Sequence, residues 1–477
     1  MSTTPQKKSD ICFFFEPKSV AVVGPSRSPF KFGRFMLMNL LDLGFKGKVY
    51  AVNPKAEEVL GLKTYPRVDL IPGEVELAAI IIPAPLVPQV MRDCAKKGVK
   101  GVVICSSGFR EAGGEGVKLE REIVEIAKKA GIRIVGPNTT GILNTTNNFT
   151  TSFMPLPKLR KGNVAFIAQT GLFAAASFWW ILTAEPFGLS KVMGLGNKSD
   201  VEDSEALEYL AHDENTEVIA IYMEGVKDGP RFLKAVQQAA RKKPVLILKS
   251  GRTEVGMKAS ASHTGSLAVK DEIFDAVCKK TGIIRVKDFE ELTDLAKAFA
   301  LLPLSKGNRV AIASMTGAGC VMAADYSPEY GLEVAPLSDR TVKYIKSYLP
   351  SWIKVGNPFD TEMLMESVGP EDSLRISLGG MLEDENIDCA ITVLPTSPMF
   401  AFDVHGVASE IRKKLPDKPF AVNIIGSKDM VDLWTKQLEE CGVPVYPSIE
   451  RCVRALGALC KYPKISSRLN SELQSNE

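Results

Sequence analysis

The sequence has no apolar stretch near the ~20 residues that span a bilayer, and its N-terminus lacks the apolar core of a secretory leader. Its nine cysteines are scattered singly, with no close pair and no histidine at zinc-ligand spacing. Charge of one sign is also missing, because 59 basic residues face 56 acidic ones. These absences predict a cytoplasmic protein with reduced, mostly buried thiols, no metal site of its own, and no surface field that attracts nucleic acid or membranes.

Histidine is scarce, with only three among 477 residues. One of them, His263, has only small or hydroxyl-bearing neighbours, namely Ser262, Thr264, Gly265 and Ser266. A histidine buried for packing usually has bulky apolar neighbours, whereas these residues leave room for a phosphate-sized group and supply hydrogen-bond donors. The setting suits a reactive imidazole, and on these residues alone a packed histidine is an equally good interpretation.

The length predicts about three domains of ~150 residues each. Short β-branched runs bounded by turns alternate with helical stretches, which is typical of parallel sheets covered by helices. Two polar, proline-bearing seams divide these runs into three series. The predicted strands are 19–23, 49–52, 77–82, 102–105 and 132–135, then 163–168, 191–194, 218–223, 245–249 and 283–286, then 309–313, 389–394 and 420–425.

The two seams resemble each other. Each has Lys-Gly-Asn, at 161–163 and 306–308, followed by a strand and a Thr-Gly turn, at Thr170-Gly171 and Thr316-Gly317. In such a turn the glycine accepts unusual backbone angles and the threonine offers a hydroxyl, and the following helix presents free N–H groups. Each turn is therefore a candidate anion site, although any α/β domain can open with a strand, a turn and a helix.

The first series has glycines, prolines, small polar residues and cations at its strand ends, where an extended cofactor can lie. The glycine spacing after the first strand does not match Gly-x-Gly-x-x-Gly, and Lys55 stands where a nicotinamide-binding domain usually has an acid. A lysine there favours a phosphate, so NADP stays open on physical grounds. The candidate cofactor-binding residues are Gly24, Ser26, Arg27, Ser28, Lys31, Gly33, Asn53, Lys55, Ile82, Pro83, Ala84, Ser106, Ser107, Gly108 and Asn138.

In their order along the chain, the motifs resemble the α subunit of the ADP-forming (NDP-forming) acyl-CoA synthetases, in the succinyl-CoA synthetase superfamily. The match extends over nearly the whole chain. It rests on Val52-Asn-Pro-Lys55, Ile82-Pro-Ala-Pro85, Gly136-Pro-Asn138, Gln169-Thr-Gly171, Gly196-Asn197 with Asp200, Tyr222-Met-Glu224, Ser262-His-Thr-Gly265, Gly317-Ala-Gly319 and Asn357-Pro-Phe-Asp360. Where the family often has cysteine after the asparagine of Gly136-Pro-Asn138, this chain has Thr139.

The resemblance implies an α/β fold in three domains and a polar tail. These are a Rossmann-like CoA-binding domain at 1–155, a flavodoxin-like ligase domain with a phosphohistidine loop at 156–303, a second flavodoxin-like domain at 304–464, and the tail at 465–477. It makes His263 the residue that is phosphorylated and Glu224 the carboxylate that orients it. The residues that would hold the phosphate are Gln169, Thr170, Gly171, Thr264 and Gly265, with Thr316, Gly317, Ala318 and Gly319 from the second turn.

The implied reaction converts acyl-CoA, phosphate and ADP to an acid, CoA and ATP through an acyl phosphate and a phosphohistidine. Coenzyme A and small carboxylic acids are then substrates of this chain. ADP or ATP and Mg²⁺ would be held by a separate ATP-grasp β subunit, in an α2β2 assembly. The alternatives are a CoA-binding regulatory protein without catalysis and an NADP-dependent oxidoreductase. Phe173 and the cluster Phe178, Trp179 and Trp180 are core residues on the simplest interpretation, and a narrowed acyl pocket is the alternative.

Overall fold

The computed structural model describes residues 11–171, 177–264 and 270–474, without the side chains of 177–178 and 260–264. The chain divides into two compact units, Met1–Asp288 and Phe289–Glu477. The first unit contains two seven-stranded sheets, and the second contains a six-stranded sheet. All three sheets are mostly parallel, so the predicted α/β class is confirmed.

The first sheet has the strand order β3-β4-β2-β1-β5-β6-β7, and only β3 and β4 pair antiparallel. Its strands are apolar on both faces because helices cover them; β1 is buried at all five residues. The strand order switches sides at β1, because β2 pairs with one edge of β1 and β5 pairs with its other edge. The elements are α1 (Cys12–Phe15), β1 (Ser19–Val23), α2 (Phe32–Asp42), β2 (Lys48–Val52), β3 (Glu58–Val59), β4 (Leu62–Tyr65), β5 (Leu77–Ile80), α3 (Val87–Lys97), β6 (Gly101–Ile104), α4 (Gly114–Ala130) and β7 (Arg133–Val135).

The second sheet has the order β14-β13-β12-β10-β11-β8-β9, so β10 lies between β12 and β11. A hairpin, β8 and β9, pairs antiparallel with β11 and so extends this sheet with residues that precede residue 155. The elements are β8 (Ile142–Asn144), β9 (Phe149–Thr150), β10 (Lys161–Ala168), α5 (Ser177–Ala184), β11 (Leu189–Gly194), α6 (Asp203–Leu210), β12 (Val218–Met223), α7 (Gly229–Lys242), β13 (Val245–Lys249), α8 (Glu254–Thr264), α9 (Asp271–Thr281) and β14 (Ile284–Val286).

The second unit has the strand order β16-β15-β18-β19-β20, with β17 paired to β15, and every pairing is parallel. The elements are α10 (Phe289–Leu301), β15 (Arg309–Ser314), α11 (Gly317–Glu329), β16 (Glu333–Val334), α12 (Asp339–Lys346), β17 (Phe359–Asp360), α13 (Glu362–Val368), α14 (Pro370–Leu374), a π-helical turn (Arg375–Gly379), α15 (Gly380–Leu382), β18 (Cys389–Thr396), α16 (Val404–Lys414), β19 (Phe420–Gly426), α17 (Lys428–Glu440), β20 (Val445–Tyr446) and α18 (Ile449–Gln474).

Helix α10 belongs to this second unit because ion pairs join it to α18. The guanidinium of Arg451 donates to both carboxylate oxygens of Asp294 at 2.7 Å, and Arg454 reaches the same carboxylate at 3.3 Å. Helix α18 also runs on to Gln474. The sequence marked residues 465–477 as a polar tail, and the structure makes most of that segment the last turns of a helix. The domain divisions at residues 155 and 303 stay predictions.

The nine cysteines are all free thiols, and seven of them are buried. Cys389 and Cys460 lie close, with their sulfur atoms 3.7 Å apart, a proximity that their 71-residue separation in the chain hides. Among the helices of residues 11–171, 177–264 and 270–474, none is long and apolar enough to cross a membrane.

A half-buried lysine at the end of α7 predicts a pH effect on stability. The ammonium of Lys243 donates to the carbonyls of Leu210 and Asp213 at 2.7 and 2.6 Å, and burial lowers its pKa from 10.5 to about 8. Between these two pH values the unfolded chain binds more protons than the folded chain, so this group's contribution to stability rises with pH through the window.

Replacing Lys243 with Met removes that contribution. The difference in unfolding free energy between wild type and variant is expected to shift in favour of wild type from pH 8 to 10, by less than the ~1.4 kcal/mol per pH unit of a full proton. Denaturant titrations at several pH values measure it, with the exposed neighbour Lys242→Met as the control. Parallel curves for wild type and Lys243→Met would contradict the prediction.

Candidate functional site

A cavity of about 630 Å³ lies at the carboxyl ends of the strands of the first sheet. Gly24 follows β1, Ile82 follows β5 and Ser106 follows β6, and all three line it. Parallel sheets bind ligands at the point where the chain switches sides, which here is the gap between β1 and β5. The opposite wall comes from the second sheet, through Gln169 and Asn197.

Two glycines bring the first turn and α2 close to this cavity. Gly24 has a φ of +103°, and a Cβ there would lie 2.4 Å from the carbonyl oxygen of Ile81. A Cβ on Gly33 would lie 2.3 Å from the carbonyl oxygen of Gly24. Helix α2 therefore starts directly against the turn only because both residues lack side chains.

Most of the predicted cofactor and phosphate residues of the first unit meet at this cavity. The strand ends of one parallel sheet share one edge, so residues that are far apart in the chain come together there. The predicted residues that line the cavity are Gly24, Ser26, Lys31, Gly33, Ile82, Pro83, Ser106, Ser107, Asn138, Gln169, Thr170 and Gly171.

Six other candidates lie outside the cavity wall: Arg27, Ser28, Asn53, Lys55, Ala84 and Gly108. Asn53 is a structural tie, because its side-chain amide donates to the carbonyl of Pro25 at 2.7 Å and its oxygen accepts from the N–H of Lys55 at 2.7 Å. The guanidinium of Arg27 donates to the carbonyl of Glu58. Ala84 is buried in the hydrophobic core of the first sheet.

The structure adds eight residues to the cavity that were not among the candidates. Ile81 and Cys105 lie in predicted strands of the first sheet, and Gly196-Asn197 is one of the quoted motifs, but the sequence assigned none of these four residues to a binding site. Phe32 and Phe153 pair with ring centroids 5.1 Å apart. The full set is Phe32, Ile81, Cys105, Thr139, Thr140, Phe153, Gly196 and Asn197.

Glu224 is buried, at 5% exposure, directly after β12. The side-chain oxygen of Gln169 accepts the backbone N–H of Glu224 at 2.8 Å and that of Gly225 at 3.3 Å. The hydroxyl of Tyr222 lies 3.5 Å from a Glu224 carboxylate oxygen, and burial together with that carboxylate raises the pKa of the tyrosine. Gln169, predicted to bind phosphate, thus also holds the backbone that carries Glu224.

A buried lysine holds Gly225, the residue that follows Glu224. The ammonium of Lys198 donates to the carbonyl of Gly225 at 2.9 Å and forms an ion pair with Asp203, and both charged side chains are 2% exposed. Lys198 has a φ of +53°, in the left-handed region. Its neighbour Asn197 lines the cavity, so one short loop contacts both the cavity and the segment after Glu224.

The loop that contains Asn197 is also bonded to α4 and to the turn before it, which follow β6 in the chain. The side-chain amide of Asn197 donates to Glu111 at 2.6 Å and to Glu120 at 3.0 Å, and the hydroxyl of Ser199 donates to Glu120 at 2.6 Å. Burial works to raise the pKa of Glu111, but hydrogen bonds from Asn197 and from the backbone N–H of Gly108 outweigh it and hold that pKa below its ordinary value. The carboxylate of Glu111 therefore stays ionised and keeps accepting these bonds.

The side chain of His263 lies outside the described residues, as does the side chain of Thr264 and the whole of Gly265. The backbone of His263 belongs to α8, which ends at Thr264, where the sequence predicted a loop. Phe173 and the side chain of Phe178 also lie outside the described residues.

Trp179 and Trp180, predicted as core, are 41% and 56% exposed, so the core prediction is wrong for these two residues. The indole of Trp180 donates to Glu185 at 3.2 Å.

The second Thr-Gly turn lies in the second unit. Helix α11 begins at Gly317 as predicted, and the hydroxyl of Thr316 accepts the backbone N–H of Gly319 at 3.1 Å. This hydroxyl caps its own helix, which occupies one of the N–H groups that the prediction assigned to phosphate. In the described parts of the chain, no group of three His, Cys, Asp or Glu side chains is placed to hold a metal ion.

Two protein-family models match the chain: a CoA-binding domain over residues 18–145 and a succinyl-CoA ligase-like flavodoxin domain over residues 161–299. A Rossmann-like sheet with its cavity at the switch point, followed by a flavodoxin-like sheet, is thus the core of a CoA-dependent ligase. The CoA-binding match over the first sheet also answers the open choice between CoA and NADP in favour of CoA.

The relatives narrow this class. Acetate–CoA ligase (ADP-forming) II of Archaeoglobus fulgidus is 45% identical over 95% of this chain and 67% of its own length. The α subunit of acetate–CoA ligase (ADP-forming) II of Pyrococcus furiosus is 40% identical over 95% of this chain and 98% of its own. Acetyl-coenzyme A synthetase 1 of Ca. Korarchaeum cryptofilum, solved with phosphate and ADP, is 33% identical with a TM-score of 0.91, covering 97% of this chain and 99% of that one.

The chain belongs to the family of ADP-forming acyl-CoA synthetases. It spans about two thirds of the A. fulgidus relative and nearly all of the P. furiosus α subunit.

Proposed function

We propose that this chain is the α subunit of an ADP-forming acyl-CoA synthetase and converts acyl-CoA, phosphate and ADP reversibly to an acid, CoA and ATP. The observation that carries the proposal is the shared cavity. The strand ends of the CoA-binding sheet and the Gln169-Thr170-Gly171 turn line the same space, and Gln169 also holds the backbone of the buried Glu224. A thioester and a phosphate bound there would be neighbours, as their reaction requires.

In the first step a phosphate oxygen attacks the thioester carbonyl, the carbon–sulfur bond breaks, and the CoA thiolate takes a proton. In the second step a ring nitrogen of His263 attacks the phosphorus of the acyl phosphate, and the carboxylic acid leaves as its anion. The phosphohistidine then passes its phosphoryl group to the terminal oxygen of ADP. Neutral histidine is the nucleophile, and Glu224 would fix its tautomer by accepting a hydrogen bond from the other ring nitrogen.

The charge of the intermediate needs several partners. A phosphohistidine carries close to two negative charges, and a helix N-terminus supplies about half a positive charge. One such terminus would therefore offset only about a quarter of the phosphoryl charge. Hydroxyls and backbone N–H groups around Thr170 and Gly171, with Thr264 and Gly265, supply the remaining contacts in this proposal.

The partner in this proposal is a separate ATP-grasp β subunit in an α2β2 assembly. ADP or ATP and Mg²⁺ would bind to that subunit, since the resemblance assigns the nucleotide to the ATP-grasp module. The naming of the P. furiosus relative as an α subunit supports a β partner. The acyl substrate is a small carboxylic acid, and a panel of acyl-CoA esters assayed with the co-expressed β subunit would identify it.

The function is tested by incubating the purified full chain with acetyl phosphate labelled in its phosphoryl group. An acid-labile, base-stable protein label is expected, because phosphohistidine is stable to base and hydrolysed by acid. Acetyl-CoA with labelled phosphate should produce the same label. A chain that binds CoA but takes up no label from either source, with or without its β subunit, would be a regulatory CoA-binding protein instead.

Lys198→Met is expected to lower the rate of this labelling about tenfold, as loss of a supporting hydrogen bond to a reactive group does. The carbonyl of Gly225 loses its ammonium donor, so the backbone beside Glu224 is less firmly held. Affinity for CoA, measured by calorimetry, should change less than the labelling rate.

The matched control is Lys191→Met. Lys191 is equally buried and pairs with Asp213 at 2.7 Å, but its partner lies after α6 and not in the Glu224 loop. Each variant removes the lysine partner of a buried aspartate, so both should lose stability, by about 3–5 kcal/mol. Equal labelling rates in the two variants would show that Lys198 acts through stability alone.

A further inference from the structure

The carboxylate of Glu111 joins two loops that line the cavity from opposite walls. One of its oxygens accepts the backbone N–H of Gly108 at 2.7 Å and that of Phe109 at 3.2 Å. The other oxygen accepts the side-chain N–H of Asn197 at 2.6 Å. The loop after β6, residues 105–109, lines the cavity with its first three residues, and Asn197 lines it from the side of the second sheet. One carboxylate therefore bonds both walls.

The hydrogen bonds continue from Asn197 to the segment after β12. The next residue, Lys198, donates from its ammonium to the carbonyl of Gly225 at 2.9 Å. Gly225 directly follows Glu224 in the chain. A connected set of contacts thus runs from the loop after β6, through Glu111 and the adjacent residues Asn197 and Lys198, to the backbone beside Glu224.

The fold fixes the turn that contains Glu111. This turn, Arg110–Ala112, lies next to α8, whose backbone includes His263. Glu120 holds the turn in place: its carboxylate is buried at 2% exposure, accepts the backbone N–H of Arg110 at 3.1 Å and forms an ion pair with the Arg110 guanidinium at 2.7 Å. Glu111 is therefore held beside the helix of the proposed nucleophile.

We propose that Glu111 is a positioning residue that holds the loop after β6 against the Asn197 loop, so that a bound thioester meets the phosphate in reacting position. This rests on the proposed function, and Glu111 acts in it through its neighbours and not by contact with substrate. Reacting atoms must approach within about 3–3.5 Å, so a small shift of one wall lowers the rate even where binding is kept. A charged carboxylate suits this role because its hydrogen bonds are stronger than those of a neutral group.

The test is Glu111→Gln in the full chain. The glutamine oxygen can still accept the two backbone N–H groups of the loop, but its NH2 group faces the side-chain NH2 of Asn197, so the bond between the walls is lost. The saturating rate of labelling from acetyl-CoA and labelled phosphate should fall about tenfold. Labelling from acetyl phosphate, which needs no bound thioester, should fall much less. CoA affinity, measured by calorimetry, should stay near wild type.

The matched control is Glu76→Gln. Glu76 stands directly before β5, at the edge of the first sheet opposite the cavity. Its carboxylate also accepts a backbone N–H, that of Lys18 at 2.7 Å, and it pairs with Lys100 at 2.7 Å. Both variants can lower the melting temperature, but Glu76→Gln should keep the wild-type rates. Equal labelling rates in the two variants would make Glu111 a stabilising residue only and would overturn the proposal.

A double variant tests whether Asn197 is the partner through which Glu111 acts. Asn197→Ala removes the donor, and it also removes the bond to Glu120 at 3.0 Å, so its rate should be the lower of the two single variants. Adding Glu111→Gln to Asn197→Ala should lower the rate no further, because the shared bond is already missing. Losses that multiply would show that Glu111 acts by another route, against the proposal.

The remaining outcomes separate this proposal from the function on which it rests. If Glu111→Gln only raises the acetyl-CoA concentration for half-maximal labelling, at an unchanged saturating rate, Glu111 shapes the CoA wall alone and the proposal is wrong. If both labelling reactions slow equally, Glu111 supports only the side of Glu224, and the link between the walls is wrong. A labelled wild type with an unaffected Glu111→Gln ends this proposal alone. A wild type that takes no label from either source ends the proposed function and this proposal with it.

Discussion

His263→Asn is expected to abolish the acid-labile label that acetyl phosphate leaves on the chain. An asparagine amide is polar and similar in reach, but its nitrogen is not a nucleophile, so the phosphoryl group has no acceptor. Loss of a nucleophile typically lowers the rate by ~10³-fold or more, which here means no label above background. Autoradiography after denaturation in base, followed by acid treatment, measures the result.

The control for this variant is His212→Asn. His212 is exposed after α6, and its ring nitrogen lies 2.9 Å from the carbonyl of Glu208. This variant should be labelled like wild type. CoA binding should survive in both variants, because the predicted CoA-binding residues that line the cavity are unchanged in them. A full label in His263→Asn would remove His263 from the mechanism.

Glu224→Gln is expected to lower the labelling rate by about 10–100-fold, the usual cost of losing a carboxylate that orients a histidine. The amide keeps the size and the backbone bonds to Gln169, so the change is confined to charge and proton acceptance. Without the carboxylate, the imidazole loses the acceptor that fixes its tautomer. The labelling rate at saturating acetyl phosphate measures this effect, and calorimetry measures the CoA affinity of the same variant.

The same strand supplies a matched control. Glu217 stands immediately before β12 and Glu224 immediately after it, so the two carboxylates lie at opposite ends of one strand. Glu217 is exposed and accepts a hydrogen bond from Asn163 at 2.6 Å. Glu217→Gln should label at the wild-type rate. Equal labelling by Glu224→Gln and Glu217→Gln would exclude Glu224 from the reaction.

The strand ends were predictable because each depends on local pattern. Runs of β-branched residues that end in Gly24, Ile82, Ser106 or Gln169 became buried parallel strands, and parallel strands bring their carboxyl ends to one edge. The sequence therefore placed most of the cavity residues of the first unit without any contact information. The same local reasoning located the start of α11 at Gly317.

Residues whose role depends on a distant partner were not predictable. Asn53 stands at a strand end like the others, but it bonds the backbone of Pro25 and not the cavity. Ala84 turns into the core. Lys198 was not among the candidate residues; it is buried because Asp203 and the carbonyl of Gly225 neutralise and solvate its charge.

The sequence by itself determined the α/β class, the parallel strands and the glycine turns, since these follow from periodicity and backbone freedom over a few residues. Only the tertiary structure decided which polar groups are already bonded within the protein. Thr139 and Thr140 are identical neighbours in the sequence, and one hydroxyl is paired while the other is buried without a partner among the described residues. Whether a hydroxyl has a partner depends on Gly194 and other residues that folding brings close from distant parts of the chain.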